Sequence, residues 1–136
     1  MDLNKVSLIG NLIKDPLAKS LASGTEVALF TVATNHVWKD KETKEKKESV
    51  EFHSVVAWGN LANIINMYLT KGSKVYLEGR LKTRSWEDED KKTHYKTEVV
   101  ASDLIMLGGG AKKEEQKQDA LAQEEIEVEE VPVEKN

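Results

Sequence analysis

Apolar positions recur with a period of two over much of the chain, which predicts strands. Val6-Ser7-Leu8-Ile9-Gly10-Asn11-Leu12-Ile13 is apolar and β-branched, with Gly10 marking a bulge or bend, and Asp15-Pro16 breaks it. After a turn at Ser23-Gly24, residues 26–38 read as a long second strand carrying Val27, Phe30, Val32 and Val37 among polar residues. Nine of the ten residues 39–48 are charged, which predicts a solvated loop. Val50 to Trp58 is a third strand, ended by Gly59.

The period then changes. Leu61, Ile64, Ile65, Tyr68 and Leu69 follow helical spacing, with Asn60 placed to cap the helix and Gly72 to stop it. Lys74 to Trp86 is a fourth strand, Glu87-Asp88-Glu89-Asp90 a hairpin loop, and His94 to Leu107 a fifth strand. Three strands, a short helix and two strands is the element order of an OB-fold, a five-stranded, partly open barrel. The fold class expected is therefore all-β with one short helix.

Past Gly108-Gly109-Gly110 the aromatics stop and apolar residues thin out. Such a segment cannot bury enough surface to offset its ordering entropy. The chain divides into a domain over residues 1–108 and a flexible, disordered acidic tail over 109–136. Charge divides with it. Residues 1–110 hold 16 Lys and Arg against 15 Asp and Glu, while residues 111–136 hold 4 against 9, so the whole-chain charge of −4 belongs to the tail. An acidic average thus says nothing against a nucleic-acid partner for the domain. With no cysteine, disulfides and thiolate metal sites are excluded. Neither a signal peptide nor a membrane-spanning run is legible, so a soluble, cytoplasmic and nucleoid-associated protein is expected, with no membrane partner.

Side chains alternate across a strand, so one face of the fourth strand carries Lys74, Tyr76, Glu78, Arg80, Lys82, Arg84 and Trp86. The other carries Val75, Leu77, Gly79, Leu81, Thr83 and Ser85, and begins as barrel interior. Lys and Arg solvate many exposed strands, but rings placed outside a core call for another explanation. In the third strand Phe52, Ser54, Val56 and Trp58 share one side, and His53, Val55 and Ala57 the other. Trp38 ends the second strand. Phe30 and Tyr68 fit core packing, and Phe52 by itself fits either role. Rings interleaved with cations suit unpaired nucleic acid, because bases stack on the rings while Lys and Arg follow the phosphates.

At this point the sequence resembles the bacterial-type single-stranded DNA-binding proteins across residues 3–107. The segments that carry the resemblance include Asn4-Lys5-Val6, Leu8-Ile9-Gly10-Asn11-Leu12, Asp15-Pro16, Trp38-Lys39-Asp40-Lys41 and residues 51–59. The run from Tyr68 to Trp86 is the most specific, and the order and spacing of the segments are stronger than any one of them. The resemblance implies a homotetramer of OB-folds with single-stranded DNA wound over it, acting in DNA replication, recombination and repair. It places stacking rings at Trp38, Phe52, Trp58 and Trp86, and phosphate contacts at Lys5, Lys39, Lys74, Arg80, Lys82 and Arg84. It puts His53 near a subunit interface in a structural role, and it implies no cofactor. The tail departs from the family pattern. It keeps Glu129, Glu130, Val131, Pro132 and Val133, acid followed by an apolar–Pro–apolar element, but it lacks the terminal Phe through which such tips dock replication and repair proteins.

Other classes fare less well. A nuclease needs clustered carboxylates for a metal, and the one dense cluster sits in a predicted turn. His36, His53 and His94 lack ligand spacing, and no phosphate loop or nucleophile elbow is present. An OB-fold accessory module devoted to protein contacts has little use for several rings among cations. RNA stays open as a ligand, since stacking alone does not read the 2′-hydroxyl.

Overall fold

The computed structural model describes residues 1–108, and the tail expectations, including Glu129 to Val133, lie outside those residues. Six strands and one helix follow in the order β1 (Val6–Leu12), β2 (Leu17–Ser20), β3 (Glu26–Lys39), β4 (Lys46–Trp58), α1 (Gly59–Tyr68), β5 (Lys74–Glu87) and β6 (Thr93–Leu107). The sheet runs β1-β5-β6-β4-β3-β2, and β1 also pairs with β3, which closes five of the strands into a barrel. The expected OB-type barrel with one short helix is present.

Two expectations about the strands are corrected. Residues 39–48 are not a loop: β3 and β4 pair without a break from Val27↔Trp58 out to Lys39↔Lys46, leaving only Asp40 to Glu45 as a turn. Charge density misled there, because a two-stranded ribbon projecting from the barrel solvates both faces and needs no apolar alternation. The additional strand β2 is four residues long and exposed throughout, so no burial pattern marks it; it pairs with β3 over Leu17↔Leu29 to Ser20↔Glu26.

The interior is built from alternate residues of each long strand. Ala28, Phe30 and Val32 of β3 face Ala57 and Val55 of β4, and they join Leu12, Val75, Leu77, Val99 and Ala101 in one buried cluster. Helix α1 closes one end of the barrel with Ala62 and Ile65, and Leu69 just after it joins the same cluster. Its N-cap is Trp58, not Asn60, and no side chain caps it. Gly59 takes φ 65, a left-handed value that lets the chain turn straight from β4 into the helix. The C-terminal stop comes at Leu69, whose N–H returns to Ile65 O at 3.0 Å, before Gly72 is reached.

Between Glu78 and Gly79 the β5–β6 register shifts, because Glu78 faces Asp103 and Gly79 faces Ala101. The extra residue, Ser102, donates its hydroxyl to Glu78 O at 3.2 Å. Gly79 is needed at this point, since a Cβ there would stand 2.2 Å from Val100 O. From Arg80 to Glu87 β5 is exposed, and with β6 it continues as a second ribbon, paired from Arg80↔Val100 out to Glu87↔Thr93.

Candidate nucleic-acid interface

The barrel register places the decisive side chains. Trp58 lies opposite Val27, Val56 opposite Leu29, Ser54 opposite Thr31 and Phe52 opposite Ala33, all on the outward face of β3–β4. The parallel pairs Val55↔Val99 and Val56↔Val100 join this face to β6. There Arg80 faces Val100, Lys82 faces Glu98, Arg84 faces Lys96 and Trp86 faces His94. Paired residues point to the same side of a sheet, so Phe52, Trp58, Arg80, Lys82, Arg84 and Trp86 occupy one continuous surface.

That surface forms the wall of an open groove between the two ribbons and β2. Six basic side chains, Lys14, Lys19, Arg80, Lys82, Arg84 and Lys96, line it against two acidic ones, Asp15 and Glu98. Trp58 stands in it, 47% exposed, while Phe52 and Trp86 lie further out along the same face, 63% and 42% exposed. Rings left this open contribute little to the core. Arg84 is held to Glu98 at 3.2 Å, and its guanidinium carbon sits 4.9 Å from the centre of the Trp86 ring.

Some residues expected in the site lie elsewhere. Trp38 is on the opposite face of the β3–β4 ribbon from Phe52, paired with Lys47, and stacks on His36 with ring centres 5.5 Å apart. Lys39 keeps the Phe52 face but sits at the ribbon tip, opposite Lys46. The basic stripe of β5 is divided by the register shift. Lys74 and Tyr76 pair with Asn11 and Ile9 of β1, away from the groove, and Lys5 is 3.8 Å from Glu78 on that same side. His53 is half-buried, its Nε2 2.9 Å from Thr34 Oγ1.

Lys14, Lys19 and Lys96 also line the groove, outside the residues that the sequence pattern singles out. Lys19 sits on the unrecognised strand and Lys14 in the loop before it. Lys96 shares its alternation with Glu98 and Val100, so the pattern within β6 was readable once its pairing to β5 was known. The acidic cluster has a structural use. Asp88 Oδ1 accepts from the N–H groups of Asp90 and Lys92, both at 2.9 Å, and so builds the turn. No group of three or more His, Cys, Asp or Glu side chains among the described residues is placed to hold a metal.

The profile of the single-strand binding protein family matches residues 3–107. The chain belongs to that family. Single-stranded DNA-binding protein 1 of Xylella fastidiosa (strain 9a5c) is 45% identical over 106 residues, 78% of this chain and 78% of its own length. Among solved structures, the Plasmodium falciparum SSB complex with single-stranded DNA superposes with a TM-score of 0.73 at 38% identity, covering 79% of this chain and 97% of that one. Family membership makes the chain a DNA-binding protein and not an enzyme. No helix among the described residues is long and apolar enough to cross a membrane.

Proposed function

We propose that this protein coats single-stranded DNA without regard to sequence, in replication, recombination and repair. The observation that carries this reading is the continuous surface joining Phe52, Trp58 and Trp86 to Arg80, Lys82 and Arg84 across β4, β6 and β5. Stacking uses the π-face common to every base, and the cations follow a backbone common to every sequence, so nothing on this surface selects a base. Lys14, Lys19 and Lys96 extend the phosphate-binding wall. Titration with unlabelled oligo-dT is expected to quench tryptophan fluorescence strongly, and duplex DNA at the same salt to quench it little. No quenching by either nucleic acid would remove the reading.

The proposed assembly is a homotetramer. Ile9, Tyr76 and Ile105 line up across β1, β5 and β6 on the barrel face away from the groove, with Ile9 and Ile105 more than half exposed. An apolar row across three strands is a surface that a second copy would cover, and His53 is the residue the family resemblance adds to such contacts. Light scattering on Ile105→Asp should give a smaller species than the unaltered chain. Docking of replication and repair proteins on Glu129, Glu130, Val131, Pro132 and Val133, and a cytoplasmic location with the nucleoid, complete the proposal.

A further inference from the structure

The two ribbons are built on one plan. Each passes from its first strand into the turn through Trp-x-Asp, Trp38-Lys39-Asp40 in one and Trp86-Glu87-Asp88 in the other. In each, the Asp Oδ1 accepts two backbone N–H groups of the turn: those of Glu42 and Thr43 for Asp40, and those of Asp90 and Lys92 for Asp88. In each, a basic residue directly opposite the Trp reaches the other carboxylate oxygen. Lys47, opposite Trp38, lies 3.4 Å from Asp40 Oδ2, and His94, opposite Trp86, lies 2.6 Å from Asp88 Oδ2.

The plans differ in the chemistry of that base. One ribbon uses a lysine and the other an imidazole, the side-chain type whose charge is most readily changed near neutral pH. His94 also lies on the indole itself, with ring centres 5.6 Å apart and planes inclined by 23°. Asp88 meets it from the turn and Trp86 from β5; next along the same face come the paired Arg84 and Lys96, with Glu98 holding Arg84 at 3.2 Å and Lys96 at 4.0 Å. Glu89, Asp90, Lys91 and Lys92 complete the turn.

We propose that Asp88 and His94 are positioning residues for Trp86, and that protonation of His94 strengthens the hold of this ribbon on single-stranded DNA. The proposal rests on the reading that Trp86 stacks on a base. The hydrogen bond to Asp88 and the contact with the indole hold the imidazolium in place with or without DNA, and the gain in affinity comes from the positive charge it adds beside Trp86, within reach of the phosphate of a base stacked there. The sign follows from linkage. A phosphate near His94 favours its charged form, so binding takes up a proton, and affinity rises as pH falls through the imidazole range. The hydrogen bond from His94 is the main reason the Asp88 carboxyl lies below its ordinary value, so Asp88 is an anion at both pH values of the test.

The test is the affinity of the full chain for oligo-dT at about pH 6 and about pH 8, at fixed ionic strength, chosen to bracket the imidazole range. Unaltered protein is expected to bind about fivefold tighter at the lower pH, the scale of one exposed charge–charge contact. His94→Arg keeps the charge at both values and is expected to bind tightly at both, with a ratio near one. Asp88→Asn retains an oxygen acceptor for the turn but loses the anion, and is expected to shrink the ratio. A His94→Arg protein that keeps the unaltered ratio overturns the proposal. Trp86→Ala separates the two readings: unchanged affinity there removes the stacking role of Trp86 itself, while weakened affinity alongside an unchanged His94→Arg ratio removes only the brace.

Discussion

The side chain of Asn4 pairs with the backbone of Leu81 as a strand would: its Nδ2 donates to Leu81 O at 2.8 Å, and its Oδ1 accepts from Leu81 N at 2.9 Å. The last backbone pair between β1 and β5 is Val6↔Gly79, so Asn4 extends the ladder by one rung, to the place where β5 leaves the barrel. Asn4→Ala should lower stability by about 1 kcal/mol, the net value of such bonds near solvent, in urea denaturation. Asn4→Asp keeps the acceptor and loses the donor, and should fall between the two.

Gly79→Ala should be far more damaging. The added methyl would lie 2.2 Å from Val100 O and 2.9 Å from its carbonyl carbon, both backbone atoms that cannot rotate aside. A loss of about 3 kcal/mol or failure to fold is expected, read by thermal denaturation. Gly10→Ala meets the same obstacle at Ala33 O, 2.3 Å away.

Trp58→Ala is expected to weaken oligo-dT binding by about 1–3 kcal/mol without loss of fold, because the ring is exposed in the groove and outside the core. Phe52→Ala should act in the same direction. Trp38 lies on the other face of its ribbon, so DNA confined to the groove face predicts a smaller effect for Trp38→Ala. Equal losses for Trp38 and Trp58 in the same titration would show the strand passing over both faces.

Salt dependence separates the cations. Arg84 is engaged by Glu98, while Arg80 and Lys82 have no ion-pair partner among the described residues. Lys82→Ala should reduce the slope of log affinity against log salt by about 0.7, the value for one phosphate of a single strand. Glu98→Gln releases Arg84 and Lys96, and should tighten binding at low salt.

Asp40 and Asp88 anchor the two turns, and their carboxyls lie below the ordinary Asp value of 3.8. For Asp40 the cause is first the N–H of Thr43, then that of Glu42; for Asp88 it is first His94, then the N–H of Lys92. A carboxyl depressed on folding stabilises the folded state above its ordinary value, and that contribution vanishes as pH falls through the depressed one. Asp40→Ala should therefore lower the melting temperature at neutral pH, and the gap from the unaltered protein should close in strong acid.

The sequence made the barrel legible where one face of a strand is buried. Val55 and Ala57 against Phe52 and Trp58 read correctly, because burial imposes a period of two. The same rule is silent where both faces meet water, which is why residues 39–48 read as loop and Leu17–Ser20 went unseen. Alternation along β5 was also right, yet its stripe serves two surfaces. Only the register with β1 and β6 shows that Tyr76 faces Ile9 while Arg84 faces Lys96. The groove is a property of strand pairing, and pairing partners are not written in the local pattern.

The seams that close the barrel are short: Val55↔Val99 and Val56↔Val100 between β4 and β6, and Asn11↔Ala33 and Leu12↔Val32 between β1 and β3. The first joins residues 44 positions apart, with the helix and all of β5 between them. During synthesis Val55 and Leu77 emerge long before Val99, their interior partner, exists to cover them. Folding must wait for the last strand to be made, and topologies of this kind close in roughly milliseconds to seconds. A chain stalled before β6 would expose an open apolar sheet, so the protein that guards unpaired DNA begins its own life in need of guarding.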